Sequence, residues 1–261
     1  MPRSRFTMLS LNAQDFELLQ SLREELGHGD SVTAGRWAEI AKLQPHFAQV
    51  LGITTDTTST QWEQFALVRD QVDAEPFIGP RWWFHITGLR HGSVHVVLTT
   101  PQGWFIVQRR SFAKDDNPGA IDIAVTGHTG TSTPLDGAWR EMAEEIGLQR
   151  AMDNEAPSIV SNTLNFFCTF DFGSDNNHQN PPHLNRERVW VYHGKVTTEG
   201  MGRLRFTDGE VTALLLLGPV ELASIAIRCQ LDQPSAPGEL NLAWGLRRTL
   251  PRWISAISSP Q

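Results

Sequence analysis

Hydrophobic and polar positions repeat with helical spacing through the first third of the chain. Apolar residues recur every three or four positions in DFELLQSLREEL at 15–26 and in SVTAGRWAEIAKLQPHFAQVLGI at 31–53. A third stretch, STQWEQFALVRDQV at 59–72, has the same spacing, and Ser59 or Thr60 is suited to cap a helix that begins there. The pattern therefore predicts a helical N-terminal segment.

From residue 86 the helical spacing changes to short apolar or alternating runs, which are typical of strands. The runs are SVHVVLTT, GWFIVQRR, NTLNFFCTFDF and ERVWVYHGKV. The turn residues Pro101, Gln102 and Gly103 join the first two runs, which predicts a β-hairpin. The polar residues 173–185 separate the last two runs and predict a long loop.

The C-terminal part adds a strand and two helices to this prediction. TDGEVTALLLLGPVELASI at 207–225 changes from a continuous apolar run to helical spacing. LNLAWGLRRTLPRW at 240–253 has helical spacing and predicts a last helix. Strands that alternate with helices predict an α/β domain after the helical segment.

Composition and charge narrow the classes of function. The chain has 261 residues, of which 40% are hydrophobic, and this is enough for a substantial core. Its formal net charge is −7 without a basic run, which argues against binding of a nucleic acid polymer. The two cysteines, Cys168 and Cys229, argue against a disulfide framework and a multi-cysteine zinc site. The N-terminus lacks the apolar region of a signal peptide, and the longest aliphatic run is too short for a bilayer, so we expect a soluble cytoplasmic protein without membrane contact.

The stretch REMAEEIGL at 140–148 concentrates acidic side chains. Glu141, Glu144 and Glu145 are spaced i, i+3 and i+4, so a helix is expected to project them to one side, where like charges repel. A hard divalent cation is one partner that neutralises such a group, and open solvent is the other explanation. The residues alone leave both alternatives open.

REMAEEIGL resembles the second half of the Nudix box, which reads Arg-Glu, an aliphatic residue, any residue, Glu-Glu, any residue, Gly and an aliphatic residue. Every fixed position of that half is present. Residues from about 86 to 230 are similar to a Nudix domain in the order of their predicted elements. The resemblance implies an α/β/α sandwich with a mixed sheet at residues 81–261, preceded by a helical extension at residues 1–80.

The resemblance also implies that Glu141, Glu144 and Glu145 are catalytic and bind Mg²⁺ or Mn²⁺, which polarises a diphosphate for attack by water. The first half of the box departs from the family pattern. Ser132, or Thr131 if the loop has a one-residue deletion, stands where the family has a glutamate. This departure either weakens the metal cluster or indicates a specialised substrate.

Residues before the box resemble the Nudix branch that contains the type I isopentenyl diphosphate isomerases and their hydrolase relatives. A His opens the first strand, and Arg-Arg, a Lys four residues later, Pro-Gly and Gly-His follow in the same order. This resemblance implies that His91, His128 and Glu187 are further metal ligands, with Glu187 also in a catalytic role, and that Arg110 and Lys114 hold the diphosphate. Each histidine has the alternative of a strand-end residue satisfied by the backbone.

Hydrolysis is the activity that we expect rather than isomerisation. The isomerases have a cysteine directly before Gly-His, and Thr126, a much weaker acid, stands there in this chain. The chain also keeps the glutamates that the isomerases replace. We therefore expect a metal-dependent hydrolase for a small nucleoside or prenyl diphosphate, with an isomerase-like enzyme and a binding module without catalysis as alternatives. The residues leave the choice of substrate and the existence of a homodimer open.

Overall fold

The computed structural model describes residues 11–27, 29, 31–71, 75–114, 117–176, 183–206, 209–230 and 240–258. The N-terminal segment contains helices α1 Ala13–Leu26, α2 Ala34–Ala41 and α3 Gln44–Val50. Asn12 and Thr33 cap the first two with side-chain oxygens, so the predicted helical segment is confirmed. A first hydrophobic cluster of buried residues extends from Leu11 to Leu89. The domain boundary at residue 80 stays a prediction.

The prediction of a helix at 59–72 is wrong for residues 59–71, which are the part of this stretch that the structure describes. Ser59 caps a single 3₁₀ turn, after which the chain forms strand β1, Gln64–Ala66. This strand pairs antiparallel with β2, Ile78–Pro80. The buried Phe65 and an antiparallel bridge between Leu67 and His91 hold the segment extended, so tertiary packing overrides its helical propensity.

Within the described residues, the main sheet has seven strands. They are β3 His91–Thr99, β4 Phe105–Arg110, β5 Ile121–Ile123, β6 Val125–His128, β7 Asn165–Asn176, β8 His183–Lys195 and β9 Val211–Leu217. Their order is β5-β4-β3-β8-β7, while β6 pairs with the first half of β3 and β9 pairs with β4. Strands β3 and β8 are parallel and the other pairs are antiparallel, which confirms a mixed sheet. The predicted hairpin is β3 and β4.

Helices cover both faces of this sheet. A short helix, α4 Arg81–Thr87, precedes it, and the others are α5 Pro134–Ile146, α6 Thr198–Arg203, α7 Pro219–Gln230 and α8 Trp244–Ser258. Helix α5 packs in one hydrophobic cluster with the sheet, and α7 and α8 pack in another. The predicted α/β fold, with residues 140–146 of REMAEEIGL on a helix, is therefore confirmed. In the described parts of the chain, no helix is long and apolar enough to cross a membrane.

The long loop predicted at 173–185 is shorter than expected. Strand β7 continues to Asn176 and β8 begins at His183, so part of the polar stretch belongs to the sheet. Residues 177–182 lie outside the described residues. Polar residues form strands here because the two strands pair along their whole length, from Asn165 opposite His193 onward, and backbone pairing does not require apolar side chains.

Candidate active site

Helix α5 carries the glutamates and is capped at both ends. Thr133 accepts a hydrogen bond from the backbone N–H of Asp136 at 3.2 Å, and Pro134 lies in the first turn, where a missing N–H has no consequence. Gly147 ends the helix with φ 75°, a left-handed conformation that glycine adopts without strain. The caps and the packed apolar stripe fix the helix relative to β6.

Glu141 and Glu145, one helical turn apart, face strand β6. A Cβ atom on Gly127 would lie 2.1 Å from the carboxyl carbon of Glu141, so this position requires a glycine. The Oε2 atom of Glu145 accepts hydrogen bonds from Nε2 of Gln108 at 3.1 Å and from the backbone N–H of Thr126 at 3.3 Å. Glu145 is 3% exposed. The fold therefore brings two of the predicted glutamates to the same strand, with Glu145 buried and Glu141 partly buried.

The pKa values of both carboxyl groups are raised. The pKa of Glu141 rises to about 8, chiefly through burial, although the adjacent Arg140 lowers it. The pKa of Glu145 lies well above its usual value because the group is buried and because Glu141 and Glu210 are nearby. In both cases the surroundings disfavour the negative charge, and a divalent cation would reverse that preference. Carboxyl groups perturbed in this way are concentrated at functional sites.

Glu144 differs from the other two glutamates, because its side chain is 51% exposed. Its Oε2 atom lies 3.4 Å from Nη1 of Arg140. The same guanidinium contacts Oε1 of Glu141 at 2.9 Å and donates to the backbone carbonyl of His128 at 2.5 Å. Glu144 therefore shares this guanidinium with Glu141, but it lies at the exposed rim, whereas Glu145 is buried. The prediction that all three glutamates bind one cation stays a prediction.

The two predicted diphosphate-binding residues form ion pairs within the protein. Nη1 of Arg110 lies 3.6 Å from Oδ2 of the buried Asp122, and the arginine side chain is 12% exposed. Lys114 forms a close ion pair with Glu210, and both side chains are partly exposed. Glu210 raises and Lys114 lowers the pKa of Glu145, so the charges of this pair act on that carboxyl group. Lys114 is therefore near the candidate site, whereas Arg110 has a buried internal partner.

Three predicted metal ligands lie close together on neighbouring strands: His91 on β3, His128 on β6 and Glu187 on β8. The Oε1 atom of Glu187 lies 3.5 Å from Nε2 of His128 and 3.9 Å from Nε2 of His91, and it accepts a hydrogen bond from Asn185 at 2.8 Å. Burial lowers the pKa of His91 to about 3, so this ring is neutral at pH 7. Burial alone would raise the pKa of Glu187, but the histidines and Asn185 together lower it far below its usual value.

His85 on α4 joins this group, and it is not among the residues predicted from the sequence. One ring nitrogen from each of His85, His91 and His128 lies within 4.8 Å of the other two. Phe65 of β1 covers these rings, with its centroid 4.7 Å from that of His91 and 4.9 Å from that of His128. The available signal was a histidine inside the apolar run RWWFHITG, which by itself also fits a core position.

Strand β6 separates the two groups. Successive strand residues point to opposite faces, so Gly127 faces Glu141 while His128 faces His91 and Glu187. The carboxylate group offers oxygen ligands, which hard cations such as Mg²⁺ prefer, and the histidine group offers nitrogen ligands, which suit borderline ions. Sequence reasoning combined these residues into one metal set, and the structure divides them into two. Metal binding by either group stays a prediction.

Comparisons with known proteins give only distant similarity. No protein-family model matches the sequence, and no curated protein matches it. Among solved structures, the MutT protein from Methanosarcina mazei Go1 has 16% identity and a TM-score of 0.45, covering 65% of this chain and 96% of its own. The protein DR0079 from Deinococcus radiodurans has 19% identity and a TM-score of 0.47, covering 73% of this chain and 98% of its own. A MutT Nudix hydrolase from Burkholderia pseudomallei has 16% identity and a TM-score of 0.41, and the match covers 62% of this chain and 97% of that protein. Similarity at this level assigns neither a family nor a substrate to this chain.

Proposed function

We propose that the chain is a Nudix-type hydrolase that cleaves the phosphoanhydride bond of a small organic diphosphate, with Mg²⁺ or Mn²⁺ held by Glu141 and Glu145. The observation that carries the proposal is this carboxylate pair on a capped helix, in which Glu145 is buried and Glu141 is partly buried, opposite a glycine that leaves room for it. The same two residues occupy fixed positions of the Nudix-box half in the sequence. Structure and motif therefore favour the same pair.

The chemistry of the carboxylate group fits a hard cation. Two neighbouring buried carboxylates repel each other, and a divalent ion both neutralises them and takes oxygen ligands. The hydrogen bonds from Gln108 and from the backbone of Thr126 hold the Glu145 carboxylate in one orientation. Arg140 contacts Glu141 at 2.9 Å and is a positioning residue for it. These fixed orientations reduce the reorganisation that cation binding requires.

A divalent cation held by Glu141 and Glu145 would supply the Lewis acidity that polarises a diphosphate and lowers the pKa of an attacking water. The protein supplies the surrounding groups. Lys114, which is partly exposed beside the carboxylates, offers a positive charge to phosphate oxygens when it leaves its ion pair with Glu210. Glu144 at the rim is open to solvent and is placed to accept a proton from water.

The histidine group lies outside this proposed hydrolytic centre. His128 and Glu187 face the other side of β6, and Phe65 covers the rings. The proposal therefore gives Glu187 no catalytic role, in contrast to the role that the sequence resemblance implied. An isomerase would also need an acid where Thr126 stands, and the hydroxyl is a poor substitute for a thiol.

A substrate panel tests the proposal. The purified chain is incubated with nucleoside diphosphate derivatives and with isopentenyl diphosphate, with Mg²⁺ or Mn²⁺ or with a chelator, and release of phosphate or of a monophosphate is measured. We expect metal-dependent hydrolysis of one of these classes. Interconversion of isopentenyl and dimethylallyl diphosphate would instead support the isomerase alternative. Tight binding without turnover across the panel would contradict the hydrolase and support a binding module.

A further inference from the structure

Helix α8 carries a basic surface on the face of the sheet opposite to α5. The helix has three arginines and no acidic residue. Arg248 and Arg252, one helical turn apart, are exposed, and Trp244 at the start of the helix is 42% exposed. These three side chains are spaced i, i+4 and i+8, so they line one side of the helix. Together with Phe170 and Phe172 of β7, they form what we call the arginine–aromatic surface.

Each of the two guanidinium groups lies over an aromatic ring. The Cζ atom of Arg252 is 4.3 Å from the ring centroid of Phe170, and that of Arg248 is 5.4 Å from the centroid of Trp244. Phe172 packs against Trp244 with centroids 6.4 Å apart, so both arginine–aromatic pairs are supported by strand β7. A guanidinium held on the face of a ring keeps the N–H groups in its own plane available to a ligand.

Within the part of the chain that the structure describes, neither arginine of this surface pairs with a carboxylate. The side chain of Arg252 donates from Nη1 to the backbone carbonyl of Arg248 at 2.6 Å, and the Arg248 side chain contacts the ring beneath it. Other arginines of this protein, such as Arg36 and Arg188, form close ion pairs with carboxylates. The two arginines of α8 therefore keep N–H donors for an anion from outside the chain.

A buried hydrogen bond fixes the orientation of α8 on the sheet. Nδ1 of His95 on β3 lies 2.7 Å from Oγ1 of Thr249, and both side chains are buried. Leu246, Leu250 and Trp253 of the same helix are also buried, in the hydrophobic cluster on this face of the sheet. The helix therefore cannot rotate freely, and its arginines are held outward before a ligand arrives. Such preorganisation reduces the entropy cost of binding.

We propose that the arginine–aromatic surface binds a short stretch of single-stranded nucleic acid, with phosphates on Arg248 and Arg252 and a base stacked on Trp244. The two arginines are separated by about 6 Å along the helix axis, and each guanidinium can pair with phosphate oxygens through two N–H groups. An exposed aromatic ring stacks on any unpaired base, which favours a single strand over a duplex. Small molecules require a concave site, and the outer face of a helix is not concave. An acidic peptide would pair with the arginines but would leave Trp244 unused.

The net charge of the chain limits the size of this contact. A net charge of −7 argues against a broad phosphate-binding face. Distant acidic groups are screened over about 8 Å at physiological salt, so two local guanidinium groups still attract phosphates. Neutralising two phosphates of a single strand predicts that log affinity falls against log salt with a slope of about −1.4. Because α5 and α8 pack on opposite faces of the sheet, this binding is separate from the proposed hydrolysis.

The experiment uses the full chain and a fluorescently labelled single-stranded RNA of about eight nucleotides. Fluorescence anisotropy gives the affinity at several salt concentrations between about 50 and 200 mM. Arg248→Gln and Arg252→Gln should each weaken binding and change the slope from about −1.4 to about −0.7, because one phosphate contact is lost. Trp244→Leu should weaken binding at least about fivefold and leave the slope unchanged, because stacking neutralises no phosphate. Both arginines are exposed, so their variants should melt at the same temperature as the unmodified chain.

Two control variants complete the design. Arg150→Gln removes an exposed arginine whose Cζ atom lies 5.4 Å from the ring centroid of Trp139, the same distance as in the pair of Arg248 and Trp244. Trp139 is on α5 and is buried, so this pair offers no ring to a base, and the variant should keep both affinity and slope. Glu145→Gln should also bind RNA as the unmodified chain does, because its carboxylate lies on the other face of the sheet.

Several outcomes would overturn the proposal. They are the absence of RNA binding at low salt, an unchanged slope in both arginine variants of α8, and an equal loss of affinity in Arg150→Gln. A short polyglutamate peptide that competes as well as unlabelled RNA would overturn it in favour of an acidic peptide. Loss of binding in Glu145→Gln would overturn it by placing the strand at the carboxylates. None of these measurements uses diphosphate turnover, so a chain that binds RNA and hydrolyses no diphosphate would contradict only the hydrolase proposal.

Discussion

Glu145→Gln removes one carboxylate from the proposed hydrolytic centre and keeps the shape of the side chain and its helix propensity. The amide oxygen of the new side chain can still accept the hydrogen bonds from Gln108 and from the backbone of Thr126. Burial disfavours the charged form of Glu145, so a neutral amide suits the metal-free protein. We expect the melting temperature without metal to stay the same or to rise slightly, because an amide never takes the charged form that burial disfavours at this position.

The effect on turnover should be much larger than the effect on folding. The variant takes a charged oxygen ligand from a cation that supplies several kcal/mol of transition-state stabilisation. A loss of about 2.7–4 kcal/mol corresponds to a fall of about 10²–10³-fold in turnover, since each 1.36 kcal/mol is about a factor of ten. The increase in melting temperature on addition of Mn²⁺ should shrink in parallel, because weaker binding stabilises the folded state less.

The assay combines thermal melting with and without Mn²⁺ and initial rates with the substrate that the panel identifies. Glu39→Gln is the matched control, since it makes the same chemical change at a side chain that is 61% exposed on α2. This control should keep both the rate and the melting shift. A Glu145→Gln variant that stays fully active with an unchanged melting shift would mean that the carboxylate pair holds no catalytic cation, and the proposed function would be wrong.

Three further predictions follow from the same geometry. Glu144→Gln should lower the initial rate less than Glu145→Gln does, because Glu144 is half exposed and paired with Arg140, and an equal or larger loss would contradict this. The metal-free protein should lose stability as the pH rises from 4.5 to about 8, because the folded state holds the Glu141 proton that the unfolded state releases. Glu141→Gln should flatten the plot of melting temperature against pH, and identical plots for the two proteins would refute the raised pKa of Glu141. Lys114→Gln should raise KM with little change in melting temperature, since its ion pair is partly exposed, and an unchanged KM would remove Lys114 from substrate binding.

The sequence by itself determined those helices and strands whose hydrophobic periodicity agrees with nearby residues that typically begin or end such an element. Helix α5 is the clearest case, because the glutamates of REMAEEIGL have helical spacing and the stretch ends in Gly147, which terminates the helix. Turn residues between two apolar runs likewise predicted the β3–β4 hairpin. The i, i+4 spacing of Glu141 and Glu145 also placed these two side chains on one face. Such features depend on neighbours within a few residues, and so they can be read from the chain.

Only the tertiary structure decided which of these residues meet. The burial of Glu145 and the exposure of Glu144 follow from where α5 lies against β6, and helical spacing does not contain that information. Strand β1 forms because Phe65 packs on His91, a contact between segments that are remote in sequence. His85 joins the histidine group for the same reason, through the docking of α4 on the sheet. The physical cause is that contacts across long sequence separations set burial, and burial can override the preference of a short segment.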